Sequence, residues 1–329
     1  MKALFIGGTG VISSACSRLA IERGIELYLL NRGESARPVP VGARVLRGNI
    51  RNLDEAKRAL QGHQFDAVVD WIVFTPEQAQ ADVELLRGRT AQYIFISSAA
   101  VYQTPPTSLP VTESTPLDNP YWDYARAKIA CEDVLRQAYH SEKFPVTIVR
   151  PSHTYDQTKL PVVGGYTVVH RMRQGKPVIV HGDGTSLWTL MHHRDFAKGF
   201  VGLLGNSHAI GDAFHITSDE ILTWNQIYEI IAHAAGAEAR IVHVPSEVIA
   251  AYDPQWGAGL LGDKAHSMIF DNTKIKHAVP DFVAAIPFSR GAQEILAWFD
   301  ADPARQVVDN RLDQLMDKII AAQKSALPG

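Results

Sequence analysis

The segment Gly7-Gly8-Thr9-Gly10-Val11-Ile12-Ser13 constrains this chain more than any other. It follows an apolar, strand-like run, Ala3–Ile6, and precedes a helical pattern over Val11–Arg23. Glycines there permit a tight turn and let a phosphate approach the backbone, while the helix start offers unpaired N–H groups and partial positive charge. That context predicts a dinucleotide-binding loop contacting its ligand through Gly7, Gly8, Thr9, Gly10, Val11 and Ile12. Ser13 stands where the fingerprint has its last glycine; it is small enough for close helix–strand packing.

The rest of the first half repeats the alternation. Strand patterns at Ile25–Leu30, Ala43–Leu46, Asp66–Ile72, Gln92–Ser97 and Val146–Val149 interleave with helical patterns at Leu53–Leu60, Pro76–Leu86 and Trp122–Tyr139. This order predicts an α/β fold of Rossmann type, a doubly wound parallel sheet with helices on both faces. After Pro151 the alternation loosens, with helical patterns at Val168–Gln174, Arg194–Leu204, Thr223–Ala235 and Asp309–Ala322 and a strand at Ala213–Ile216. We expect residues 1–157 and about 193–232 to form the dinucleotide-binding domain. Residues of about 158–192 and 233–329 would then form a smaller, mostly C-terminal substrate-binding region.

Composition narrows the function classes. Lys and Arg total 32 against 35 Asp and Glu, so no basic surplus points to nucleic acid. Two cysteines, Cys16 and Cys131, make no disulfide framework and are consistent with a reduced, cytoplasmic setting. No metal-ligand spacing occurs, and no apolar stretch is long enough to span a membrane. Ser14-Ala15-Cys16 superficially imitates a lipoprotein signal, but the apolar run before it ends at Gly7, so it reads as the first strand and helix.

Candidate chemistry lies further along. At the end of the second strand, where an acid usually binds the ribose 2′-hydroxyl, stand Asn31 and Arg32. Neither repels a 2′-phosphate and Arg32 can pair with one, which tilts the cofactor from NAD towards NADP. Tyr124 and Lys128 share one helix face at i, i+4. A nearby ammonium and a positive nicotinamide would favour the phenolate, so that Tyr124 exchanges the proton of a secondary hydroxyl. Ser98 closes the strand Gln92–Ser97 and can donate to a developing alkoxide. Trp71 and Phe74 follow a strand and face either the cleft or the core; His192-His193 reads as a structural pair at a helix start.

Taken together, Gly7–Ser13, Ser98-x-x-Val101-Tyr102, Tyr124-x-x-x-Lys128, Arg150-Pro151-x-x-x-Tyr155, Gly182-Asp183-Gly184 and Phe214-His215-Ile216 resemble the extended short-chain dehydrogenase/reductase family, in its epimerase/dehydratase branch. The resemblance implies a catalytic set of Ser98, Tyr124 and Lys128, with Lys128 also on the cofactor ribose. It implies Pro151, Ser152 and His153 beside the nicotinamide, with His153 reaching substrate, and Asn49 and Ile50 near the adenine. It implies a homodimer. Ala99 and Ala100 replace the Asp-Glu pair of the branch's dehydratases, which argues against a 4,6-dehydratase and towards sugar 4-epimerases. Trp188 stands where the epimerase pattern has a diphosphate-gripping Arg, leaving Arg171 and Arg173 as substitutes, or a substrate that is no nucleotide diphosphate sugar. The leading expectation is an NAD(P)-dependent sugar epimerase; the alternatives are a net reductase or dehydrogenase, and an RNA-binding or regulatory protein on the same fold.

Overall fold

The computed structural model describes residues 1–326. Strands β1 (Lys2–Ile6), β2 (Glu26–Asn31), β3 (Arg44–Arg47), β4 (Phe65–Asp70), β5 (Thr90–Ile96) and β6 (Val146–Pro151) alternate with helices α1 (Ser13–Glu22), α2 (Leu53–Ala59), α3 (Pro76–Leu86) and α4 (Asp123–Glu142). The chain continues through β7 (His153–Tyr155), α5 (Tyr166–Arg173), β8 (Val178–His181), β9 (Leu187–Trp188), β10 (Leu190–His192) and α6 (His193–Leu203), and then β11 (Ala213–Ile216). Seven strands form one sheet in the order β11-β6-β5-β4-β1-β2-β3, every pair parallel. The doubly wound fold expected from the alternation is the observed one. Strand order reverses between β1 and β4, and a ligand crevice belongs outside the carboxyl ends of strands at such a point.

Two cores sandwich the sheet. Ala3 and Phe5 point into one, against α1 and α6 residues such as Cys16 and Phe200; Leu4 and Ile6 point into the other, with Val83 of α3 and Leu135 of α4. All four strand residues are fully buried, which explains why β1 reads as a continuous apolar run. Cys16 lies buried in the first of these cores. A third core gathers α5, β8 and α7 (Trp224–Ala234, after β12, Leu222–Thr223) with the last helix, Asn310–Ala326. Among the described residues, no helix is long and apolar enough to cross a membrane, and no cluster of three His, Cys, Asp or Glu could hold a metal.

Two local devices aim the crevice. Helix α4 is bolted to β6 by a buried pair: Arg150 donates to Glu132 through Nε (2.9 Å) and Nη2 (2.6 Å), and both side chains are almost fully enclosed. A bidentate pair of this kind fixes direction as well as distance, so the Tyr124 end of α4 is held over β5. Short parallel pairing of β7 with β10 sets His153 opposite Leu190, and β9 pairs antiparallel with β12. The residues after Pro151, where the alternation loosens in sequence, are therefore stitched together by strands too short to show a period.

Candidate active site

A cleft of about 1010 Å³ opens at the carboxyl ends of the sheet. Its floor includes Gly7 through Ser13, Trp71, Phe74, Ser98, Tyr124, Lys128, Pro151 and His153. Segments that lie far apart in sequence thus meet in one space.

The glycine loop fits a pyrophosphate. Gly7 and Gly8 have φ of +96° and +92°, and a Cβ on Gly8 would lie 2.6 Å from Leu29 Cδ2. Only glycine meets both demands. Helix α1 begins at Ser13 without a side-chain cap, two residues later than expected; the Ser14 N–H donates to the Gly10 carbonyl (3.0 Å), and the N–H groups of Val11 and Ile12 have no partner among the described residues. Ser13, in the departing position, has a task of its own: its Oγ accepts from the Gly10 N–H at 2.8 Å and braces the turn.

Of seven buried polar side-chain atoms without a partner among the described residues, five belong to cleft-lining residues: Trp71, Ser97, Ser152, Trp188 and Thr189. Buried polar groups are normally satisfied. Their concentration here is what a cleft shaped for polar ligands would show.

Tyr124 is half-buried. Burial raises its pKa above the ordinary tyrosine value, the Ser98 hydroxyl lowers it by hydrogen bonding, and the charge of Asp263 raises it. The phenol is therefore held protonated at neutral pH in this state. Lys128 does not counter this as expected. Its Nζ donates to the carbonyls of Val73 (2.6 Å) and Ile96 (2.8 Å), and lies over Phe74 (4.7 Å) rather than at the Tyr124 hydroxyl. Burial pushes its pKa down to about 8. The i, i+4 spacing put both residues on one face, but the ammonium turns into the sheet, where two carbonyls solvate it. His153 is kept well below the ordinary histidine pKa, first by burial and then by the charges of Lys264 and Lys159. It offers a neutral ring.

Several expected residues lie elsewhere. Arg171 is fully buried, with its guanidinium bound to Asp313 (2.5 Å), Asp317 (2.7 Å) and the Pro177 carbonyl (2.9 Å). It anchors the last helix and does not line the cleft; partners 142 and 146 residues away could not be read from the sequence. Arg173 is paired with Asp300 at 2.7 Å. Arg32 is exposed and pairs with Glu34 at 2.9 Å. Asn49 accepts from the Arg51 N–H through Oδ1 (3.0 Å), and Ile50 is buried under β2; neither lines the cleft. Asn31 lines a smaller adjoining pocket of about 240 Å³ with Ser35, Arg37 and Arg47, and the two arginines were not anticipated. His192 and His193 are buried, and their pKa values are lowered chiefly by burial, as suits a structural pair.

The far wall holds residues that motif reading missed. Trp122 lies 4.9 Å from the Tyr124 ring centre. Lys264 Nζ sits 5.6 Å from the Trp122 ring and 5.9 Å from that of Trp188, and donates to Asp263 at 3.0 Å. Asp263 and Lys264 end a π-helical turn, Leu260–Lys264, a form that often marks working sites. Buried Asn119 joins this turn to the catalytic side: its Nδ2 donates to the carbonyls of Gly262 (2.6 Å) and Ala100 (2.8 Å).

The sequence matches the NAD dependent epimerase/dehydratase family over residues 3–217. Curated relatives include 2'-dehydrokanamycin reductase of Streptomyces kanamyceticus, 28% identical over 75% of this chain and 70% of that protein. Another is a chloroplast stem-loop binding protein of 41 kDa from Arabidopsis thaliana, 28% identical over 74% of this chain and 65% of that protein. This chain therefore spans about two thirds of the length of these relatives. In structure it is similar to UDP-glucose 4-epimerase from Bifidobacterium longum, in complex with NAD+ and UDP, with a TM-score of 0.73 and 18% identity over 92% of this chain and 99% of that one. An epimerase of Methanothermobacter thermautotrophicus gives 0.75 at 16% identity over 93% and 94%. The chain belongs to the NAD dependent epimerase/dehydratase family and is an NAD-dependent enzyme of the short-chain dehydrogenase/reductase type.

Proposed function

We propose that this family member reduces a ketone on a sugar-like ring to a secondary alcohol, with NADPH as the exchanged cofactor. The observation that carries the reading is the meeting of Tyr124, Ser98 and Lys128 in one cleft beside the glycine loop, where burial raises the Tyr124 pKa. A phenol kept protonated is prepared to give a proton, which is what a carbonyl oxygen needs as it becomes an alkoxide. When bound, the nicotinamide supplies the hydride.

The chain's own residues do the rest. Ser98, whose Oγ accepts from the Ala100 N–H at 3.2 Å, donates to the carbonyl oxygen and polarises it. Tyr124 then transfers its proton to that oxygen. Lys128 holds positive charge beneath the site and offers its remaining N–H to the ribose. The glycine loop and the start of α1 hold the pyrophosphate. Arg47, with no ion pair among the described residues, borders the small pocket at the end of β2 and takes the 2′-phosphate role expected of Arg32. Arg37 stands beside it, held by Asp156 at 2.5 Å and by Thr158.

The 28% identity to a reductase over three quarters of the chain supports this direction. Sugar 4-epimerisation, the leading expectation from the sequence, becomes the second reading, favoured by the matches to 4-epimerases and by Ala99 and Ala100 where a dehydratase needs acids. One measurement separates them. A reductase consumes NADPH stoichiometrically with its ketone; an epimerase retains its cofactor and shows no net oxidation. Stoichiometric conversion of a sugar epimer without net loss of NADPH would overturn the reductase reading. We also propose a homodimer, which sedimentation would show as twice the 36.2 kDa chain mass.

A further inference from the structure

The wall facing Tyr124 specifies a substrate class, given the hydride-transfer reading above. Trp122 and Trp188 flank Lys264, so two indole faces and an Asp–Lys pair border one space. The side chains of Asp263 and Lys264 are 15% and 14% exposed. Their backbone is fixed from behind, because the Lys264 carbonyl accepts from His181 Nε2 (2.8 Å) and Ser186 Oγ (3.1 Å). Trp188 and Thr189 are 4% and 2% exposed, line the cleft, and have an indole N–H and a hydroxyl without partners among the described residues.

The charges on this wall are unfit for a diphosphate. Lys264 is paired with Asp263 and Arg37 with Asp156, while Lys128 keeps its charge but turns its ammonium into the sheet, onto the carbonyls of Val73 and Ile96. Arg171 and Arg173 are bound to carboxylates of the last two long helices. Among the described residues the cleft cations without a carboxylate partner are Lys128, held by backbone carbonyls, and Lys159, which is exposed. A dianion set against Asp263 would lose its hydration and gain repulsion, with no bidentate arginine in return. A sugar ring fits better: its apolar face covers an indole, and neighbouring hydroxyls can donate to a carboxylate and accept from an ammonium at once.

We propose that Asp263 and Lys264 read a vicinal diol on a sugar ring that carries no diphosphate, the ring resting between Trp122 and Trp188 with the Trp188 N–H and Thr189 hydroxyl as further contacts. The test uses cofactor-loaded protein with 15N-labelled tryptophan, the Trp188 indole signal being assigned by its loss in Trp188→Phe. Methyl glucoside, galactoside and mannoside are titrated separately, as is uridine diphosphate. The expected result is that at least one glycoside moves the Trp188 signal, while uridine diphosphate leaves it in place at about 1 mM. Asp263→Asn weakens the glycoside response by about tenfold, as loss of a charged hydrogen-bond acceptor should, and leaves NADPH fluorescence titrations unchanged. Three results overturn the inference: a uridine diphosphate response saturating below about 1 mM, silence with all three glycosides, or an Asp263→Asn variant that responds like the parent. Turnover of nucleotide sugars that depends on Tyr124 would keep the hydride-transfer reading and remove this one alone.

Discussion

The two walls of the cleft are built differently. On the sheet side, contacts are supplied largely by backbone: the positive-φ glycines of the loop, the N–H groups of Val11 and Ile12 just before α1, and the carbonyls of Val73 and Ile96 that hold Lys128. Their positions follow from sheet register. On the opposite side, Trp122, Trp188, Asp263 and Lys264 come from a helix start, a two-residue strand and a π-helical turn, and their side chains meet around the Lys264 ammonium. A wall of backbone groups tolerates side-chain drift and can serve one cofactor across many chains. A wall of side chains can be rewritten piece by piece. On the reading proposed above, the pairing teaches that which reaction is run and which molecule undergoes it are settled in separate places.

That division can be attacked directly. Tyr124→Phe should reduce turnover by at least ~10²-fold, the lower range for removing an acid–base group, while NADPH affinity changes little. Stopped-flow absorbance and a fluorescence titration measure the two halves; equal loss in both would deny that the walls act separately. Arg47→Ala should weaken NADPH by about tenfold, as expected for losing one charged contact to a phosphate, and leave NADH unchanged. Unequal effects on the sugar-like substrate would refute it.

Gly262→Ala sharpens the contrast from the other wall. A Cβ there would lie 2.7 Å from Trp122 Cβ. Overpacking of this kind costs roughly 1–3 kcal/mol, and we expect it as a raised KM for substrate with the cofactor Kd unmoved. The smallest effect concerns pH. Lys128 has its pKa lowered to about 8, so its charge is present below that pH and lost above it. Cofactor KM should therefore rise as pH passes 8, and Lys128→Met should abolish the rise. Tyr124, raised above the ordinary tyrosine value, stays protonated through this range, so kcat for reduction should decline only at more alkaline pH.

The same contrast explains what could be read from the chain. Gly7–Gly10 and the strands around them were legible because a phosphate loop needs contiguous residues and buried parallel strands need unbroken apolar runs. Tyr124 and Lys128 were legible as neighbours, though the rotamer that turns Lys128 into the sheet was not. Arg171 misled because an arginine on an amphipathic helix looks the same whether it meets a ligand or, as here, Asp313 and Asp317. Asp263 and Lys264 carried no signal: a π-helical turn has no hydrophobic period, and their meaning comes only from tryptophans 75 and more residues away.

Asn119 spans these two halves with one carboxamide, gripping Gly262 on one side and Ala100 on the other. Anyone grafting a foreign selectivity loop onto this scaffold would inherit that hinge pin. A transplant that moves the 260–264 turn without preserving Asn119's reach would drag the Ser98 segment with it, so redesign should treat residues 98–104, 119–124 and 260–264 as one exchangeable cassette.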